Sequence, residues 1–203
     1  MELSGKFHSH ITVLCDDDQI PKLRELCKEL RCVVTVIDLQ KETQAQRDIM
    51  LTHHFFIGRG VYNSVEDIKH ALQTSCDVLS LHGFNPVRTK LEHESLPTVE
   101  PSVETYREVH FKCILPAVKR DAFISAVRSM DDTLVPSNNP YETFDNGDIT
   151  QFINKRYYDG TVEEADKQSD AVASMLSTMC TVKEVKRESI VYDSNLSHDK
   201  WWA

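Results

Sequence analysis

The sequence predicts an α+β fold made by tandem duplication, with two ferredoxin-like β-α-β-β-α-β units packed about a pseudo-two-fold axis. The first observation behind this is a long repeat. Phe55-Phe56-Ile57-Gly58-Arg59, followed by a helix start at Ser64, recurs as Phe152-Ile153-Asn154-Lys155-Arg156 followed by Thr161, and Arg59 to Arg156 and Ser64 to Thr161 are both 97 residues apart. The second is that two shorter matches hold near the same offset: His10-Ile11-Thr12 with His110-Phe111-Lys112, and Lys90-Leu91-Glu92 with Lys186-Arg187-Glu188. The third is that two-residue and helical periodicity alternate in the same order in both halves.

Residues 7 to 15 alternate, placing Ser9, Ile11, Val13 and Cys15 on one side and His8, His10, Thr12 and Leu14 on the other, which predicts a half-buried strand. Pro21 suits a first helical turn, and Ile20, Leu23, Leu26, Cys27 and Leu30 fall on one helix face. The β-branched run from Cys32 to Leu39 is a second strand, and the polar stretch from Gln40 to Arg47 is expected as a loop. A third strand spans about His53 to Val61. Ser64 with Asp67 forms a capping box for a helix that Gly83 ends, and Val87 to Glu94 is the fourth strand. Residues 95–106, with two prolines, read as a linker between a first unit (1–94) and a second (107–192).

The second unit repeats the order. A strand at 107–115 precedes a helix at about 118–130, a short strand near 133–136, a loop to Asp148 and a strand at 149–158. A helix capped by Thr161 and Glu164 and a last strand at 182–192 complete it. Residues 193–203 form a tail whose Trp201 and Trp202 carry enough apolar area to dock on the body or to meet a protein partner.

Composition narrows the partners. A formal net charge of −9 disfavours a nucleic-acid backbone or an anionic membrane. No long apolar run and no secretory-type start is present, so an intracellular, cytoplasmic protein is expected. The 6 cysteines show no CxxC spacing and are expected as free thiols, with Cys15 and Cys113 facing the core. There is no glycine-rich phosphate loop, no Gly-x-Ser-x-Gly elbow and no His-Glu-x-x-His.

Strand parity supplies the candidate site. With Ile11 and Val13 against the helices, His10 and Thr12 turn to the open sheet face; Phe111 and Cys113 do the same for His110 and Lys112. On the fourth strands, Arg88, Lys90 and Glu92, and likewise Lys186 and Glu188, face outward. His10 and His110 are thus candidate acid/base groups, oriented by Glu92 and Glu188. Thr12, Lys112, Lys90 and Lys186 are candidate anion contacts, joined by Arg59 and Arg156 at the ends of the third strands. The expected function is binding or hydrolysis of a small phosphorylated or anionic ligand. The rival is a non-catalytic module whose open faces form an interface.

The His10-Ile11-Thr12 strand motif in a duplicated α+β chain resembles the two-histidine phosphoesterases. That resemblance implies two His-x-Thr/Ser motifs facing each other across a pseudo-dyad and acting on cyclic or 2′-5′ phosphodiesters. Lys112 stands where the second motif would carry a hydroxyl. No cofactor is required by this reading. A divalent metal held by His8, His10 and His54 is the separate alternative, because His8 and His10 point the same way and His53 or His54 lies on the neighbouring strand. His70, His82 and His93 are expected to be solvated or capping residues.

Overall fold

The computed structural model describes residues 4–41, 44–58, 61–93, 105–139 and 144–198; Arg59, Trp201 and Trp202 lie outside them. The elements are β1 (Gly5–Leu14), α1 (Ile20–Glu29), β2 (Val33–Lys41), β3 (Gln44–Ile57), α2 (Val65–Leu81), β4 (Asn85–His93), β5 (Arg107–Pro116), α3 (Arg120–Met130), β6 (Val135–Asn138), β7 (Asp148–Tyr157), α4 (Val162–Leu176) and β8 (Thr181–Asp193). Short 3-10 turns, Asp17–Gln19 and Ala117–Lys119, lead into α1 and α3. No described helix is long and apolar enough to cross a membrane.

The strands correct the expected architecture. They hydrogen-bond in the order β1-β3-β2-β6-β7-β5-β8-β4, which closes on itself as an eight-strand antiparallel barrel. Two open ferredoxin-like sheets would each leave edge strands with unpaired backbone groups. Here β2 is paired by β6, Asp38 opposite Asn138 and Leu39 opposite Ser137, so that edge is absent. The stretch expected as a loop after Leu39 is instead strand to Lys41 and again from Gln44, and Arg47 grips Asp38 across it at 2.7 and 3.1 Å. The duplicated ferredoxin-like reading is therefore overturned, and with it the two-histidine phosphoesterase resemblance that was built on it.

The chain divides into two compact units that do not follow the repeat. One comprises the chain to Thr35, Asp48 through β4, and Ile190–His198; the other comprises Val36–Arg47 and the chain from β5 to Ser189. In the first, Phe7, Ile11 and Val13 of β1, Ile49, Leu51, Phe55 and Ile57 of β3, and Leu23, Cys27, Ile68, Leu72 and Leu79 of the helices are buried. In the second, one cluster joins Val109, Phe111 and Cys113 of β5 to Phe123 and Val127 of α3 and Val172 and Leu176 of α4.

Local chemistry explains the helix limits. Ser64 Oγ accepts from the Asp67 N–H at 3.1 Å while Asp67 Oδ2 accepts from the Asn63 and Ser64 N–H groups at 2.8 and 3.1 Å. Those backbone donors hold the Asp67 carboxyl below its ordinary range. Thr161 and Glu164 form the same reciprocal pair at 3.1 and 2.8 Å. Thr161→Ala is expected to cost about 1 kcal/mol, read from the urea midpoint. A value near zero would mean that water replaces the cap at no loss.

The end of β8 and the residues after it dock on β4 within the first unit. Ser194 N donates to the Thr89 carbonyl at 2.9 Å, Ser194 Oγ accepts from the Thr89 N–H at 2.8 Å, and Asn195 donates to the Val87 carbonyl at 3.1 Å. Arg88 meets Asp193 through two nitrogens at 2.9 and 2.5 Å, and the Asp193 side chain is fully buried. His198 reaches Asp48 at 3.1 Å.

Candidate functional site

β1 is buried on both faces, not one: His8, His10 and Thr12 are as enclosed as Ser9 and Ile11. An imidazole, an ammonium and a carboxylate removed from water need partners. Strand register provides them. His10 lies opposite Lys90 on β4 and opposite Thr52 on β3, and Glu92 stands one pleat away on the same face as Lys90. His10 Nε2 is 3.0 Å from Glu92 Oε2, and its Nδ1 is 3.0 Å from Thr52 Oγ1. Lys90 Nζ takes the other carboxylate oxygen at 2.7 Å. Thr12 stands one pleat along, opposite Arg88, whose guanidinium is turned to Asp193.

The second unit places the same residue types in the same atom pairing. His110 lies opposite Lys186 on β8 and Asn154 on β7. Its Nε2 is 3.4 Å from Glu188 Oε2, its Nδ1 is 2.7 Å from Asn154 Oδ1, and Lys186 Nζ is 2.6 Å from Glu188 Oε1. Two things differ. The side chains of His110 and Lys186 are 25% and 37% exposed, against 11% and 9% for His10 and Lys90. A ligand in solvent therefore meets the second trio far more readily than the first.

The other difference is the partner of Nδ1. A threonine hydroxyl both donates and accepts, so it can serve the Nδ1 of His10 in either role. An amide oxygen only accepts. Asn154 is fixed in that orientation because its nitrogen donates to the Val135 carbonyl at 2.9 Å and to Ser137 Oγ at 2.8 Å. Both nitrogens of His110 thus face acceptors, an arrangement that suits an imidazolium better than a neutral ring.

Other expected site residues lie elsewhere. Arg156 is held by Glu108 at 3.3 Å, with its guanidinium over the Tyr106 ring at 5.1 Å. Lys112 Nζ lies 5.6 Å from the Phe152 ring centroid. Arg59 falls outside the described residues. Of the three metal candidates, His8 and His54 pack edge to face with centroids 4.6 Å apart, while both nitrogens of His10 are engaged by Thr52 and Glu92. His93 is neither solvated nor a cap. It is buried, packs on Phe7 at 4.6 Å, and lies 3.0 Å from the Ser4 carbonyl through Nε2. Gly5 allows that approach, since a Cβ there would sit 2.9 Å from the ring and its φ is +116°.

Sequence reasoning missed Thr52 and Asn154. They do not align at the repeat offset, which sets Arg59 against Arg156, but third-strand parity marks both as sharing a face with the histidine opposite.

No protein-family model and no curated protein matches the chain. Among solved structures, a protein titled "Putative monooxygenase" from Fusobacterium nucleatum subsp. nucleatum is 8% identical, covers 94% of this chain and 93% of its own, and has a TM-score of 0.29. A likeness of that size carries no argument about function.

Proposed function

We propose that the protein binds a small anionic ligand, with phosphorylated compounds the best chemical fit, at His110 and Lys186 of the second unit, and that His110 gives a proton to a ligand oxygen. The observation that carries this is His110 with an acceptor at each ring nitrogen, the arrangement that suits its doubly protonated form, beside a partly exposed ammonium. A charge-assisted contact from each cation to one oxyanion is stronger than a neutral hydrogen bond. Of the His110 contacts to Glu188 and Asn154, the Nε2 contact to Glu188 is the longer, so a ligand oxygen competes better there than at Nδ1.

Sulfate is a suitable probe because its charge stays constant across about pH 6 to 9, where histidine titrates. Sulfate is expected to shift the ring-nitrogen resonances of His110 and to bind more weakly as pH rises and the second proton leaves. Asn154→Thr, which restores a donor at Nδ1, is expected to weaken sulfate about tenfold, the equivalent of about 1.4 kcal/mol. Equal affinity in Lys186→Gln would dismiss the site. Assaying wild type, His10→Ala and His110→Ala on phosphomonoesters and phosphodiesters then separates turnover from binding alone, since equal rates would remove the catalytic role.

A second reading applies to the first unit. Glu92 is 1% exposed and both its oxygens are engaged, by His10 and by Lys90. That favours a structural network over a ligand site, with stability and not anion affinity as the property it sets.

A further inference from the structure

The end of α1 brings two thiols together. The chain leaves the helix through a Schellman turn: the Cys32 N–H bonds to the Cys27 carbonyl at 2.9 Å and the Arg31 N–H to the Lys28 carbonyl at 3.3 Å, with Arg31 at φ +55°. That motif sets the third residue from the helix end against the third residue beyond it, a contact that is usually apolar. In this chain both positions are cysteine. Cys27 is buried and Cys32 half-buried, both are free thiols, and Cys32 Sγ lies 3.7 Å from the Cys27 carbonyl.

A third group faces the pair. His53 lies on β3 in a row with Leu51 and Phe55, is 7% exposed, and stacks on Phe55 at 5.8 Å. Neither ring nitrogen makes a well-formed hydrogen bond among the described residues. A buried imidazole left so costs free energy. The Cys27 thiol holds the neighbouring Cys32 thiol below the ordinary thiol range of 9.0, burial opposes this, and His53 pulls the same way as Cys27. The same pairing pushes Cys27 up. Cys15 is the contrasting thiol, raised by burial and by Asp16, Asp17 and Asp18.

We propose that Cys27 and Cys32 are a dithiol–disulfide couple that exchanges two electrons with low-molecular-weight disulfides of the glutathione class, with Cys32 as the attacking sulfur. The Cys32 thiolate attacks one sulfur of the small disulfide. A Cys32 mixed disulfide forms, the S–S bond of the reagent breaks, and the leaving thiolate takes a proton from water. Cys27 then attacks the Cys32 sulfur, its proton passing to the second leaving thiol. Two thiols of the protein are oxidised and one external disulfide is reduced to two thiols. His53 is a positioning and polarising residue that keeps Cys32 nucleophilic.

The test uses the full chain, reduced, equilibrated at neutral pH with oxidised glutathione, blocked with N-ethylmaleimide and cut with trypsin. Lys28 and Arg31 separate the two cysteines, so their peptides stay joined only through a disulfide. Joined peptides are expected in wild type, glutathione retained on Cys32 in Cys27→Ser, and none on Cys27 in Cys32→Ser. In wild type alone, iodoacetamide is expected to modify Cys32 at least about tenfold faster than Cys15 near pH 7, with His53→Gln narrowing the gap. Separate, reduced peptides in wild type, or equal alkylation of Cys15 and Cys32, would overturn the proposal.

Discussion

Asp193→Ala is expected to lower the stability of the protein by about 3 to 5 kcal/mol, because it leaves the Arg88 guanidinium buried without its bidentate carboxylate. Arg88 is 6% exposed and the Asp193 side chain fully buried, so water cannot take over the lost contact without opening the strand. The effect reaches beyond one ion pair. Asp193 Oδ1 also accepts from the Asn195 N–H at 3.1 Å, and the neighbouring Ser194 pairs with Thr89, so the substitution loosens the docking of the chain end on β4. Urea unfolding checks this. A loss below about 1 kcal/mol would mean that the pair's attraction barely exceeds its desolvation, and the double substitution Arg88→Met with Asp193→Leu would then be near neutral.

The second large effect is expected at Glu92. Alanine there removes the only carboxylate in the trio with Lys90 and His10, both of them nine-tenths buried, and the expected loss is about 3 kcal/mol. Glu92→Gln separates charge from shape, since the amide keeps the size and one acceptor but cannot balance Lys90. If alanine and glutamine cost the same, charge balance is the function of Glu92; if glutamine is nearly silent, packing and hydrogen bonding suffice. Glu188→Ala is expected to cost less, because Lys186 is 37% exposed and retains water, though it removes the Nε2 partner of His110.

Much of the local structure was legible. Pattern and capping rules locate the helices because the chemistry of a cap is contained within four residues, as Ser64 with Asp67 and Thr161 with Glu164 illustrate. Strand parity was equally readable, since the faces of β1 and β4 follow from which residues are apolar. The strand order was not. Nothing in Asp38 or Asn138 taken alone announces that β2 ends beside β6, because an edge strand and a paired strand of this composition look alike. Burial of the polar face was illegible for a related reason: periodicity tells which residues share a face and not what that face meets. His8, His10 and Glu92 have the same alternation whether water or protein lies over them. The difference in Nδ1 partner between the trios was written in Thr52 and Asn154, yet it emerges only when the register sets each one opposite its histidine.

One consequence of the β4–β8 seam concerns the order in which the chain is made. Thr89 and Ser194 are 105 residues apart, and Ile190–His198 belongs to the same compact unit as the first strand. A ribosome has released β1 through β4 long before β8 exists, so during translation the first unit carries a strand whose partner has not yet been synthesised. Its closure is a late event whatever the intrinsic speed of its helices, and the nascent half is dependent on holding that edge unoccupied until the last residues arrive.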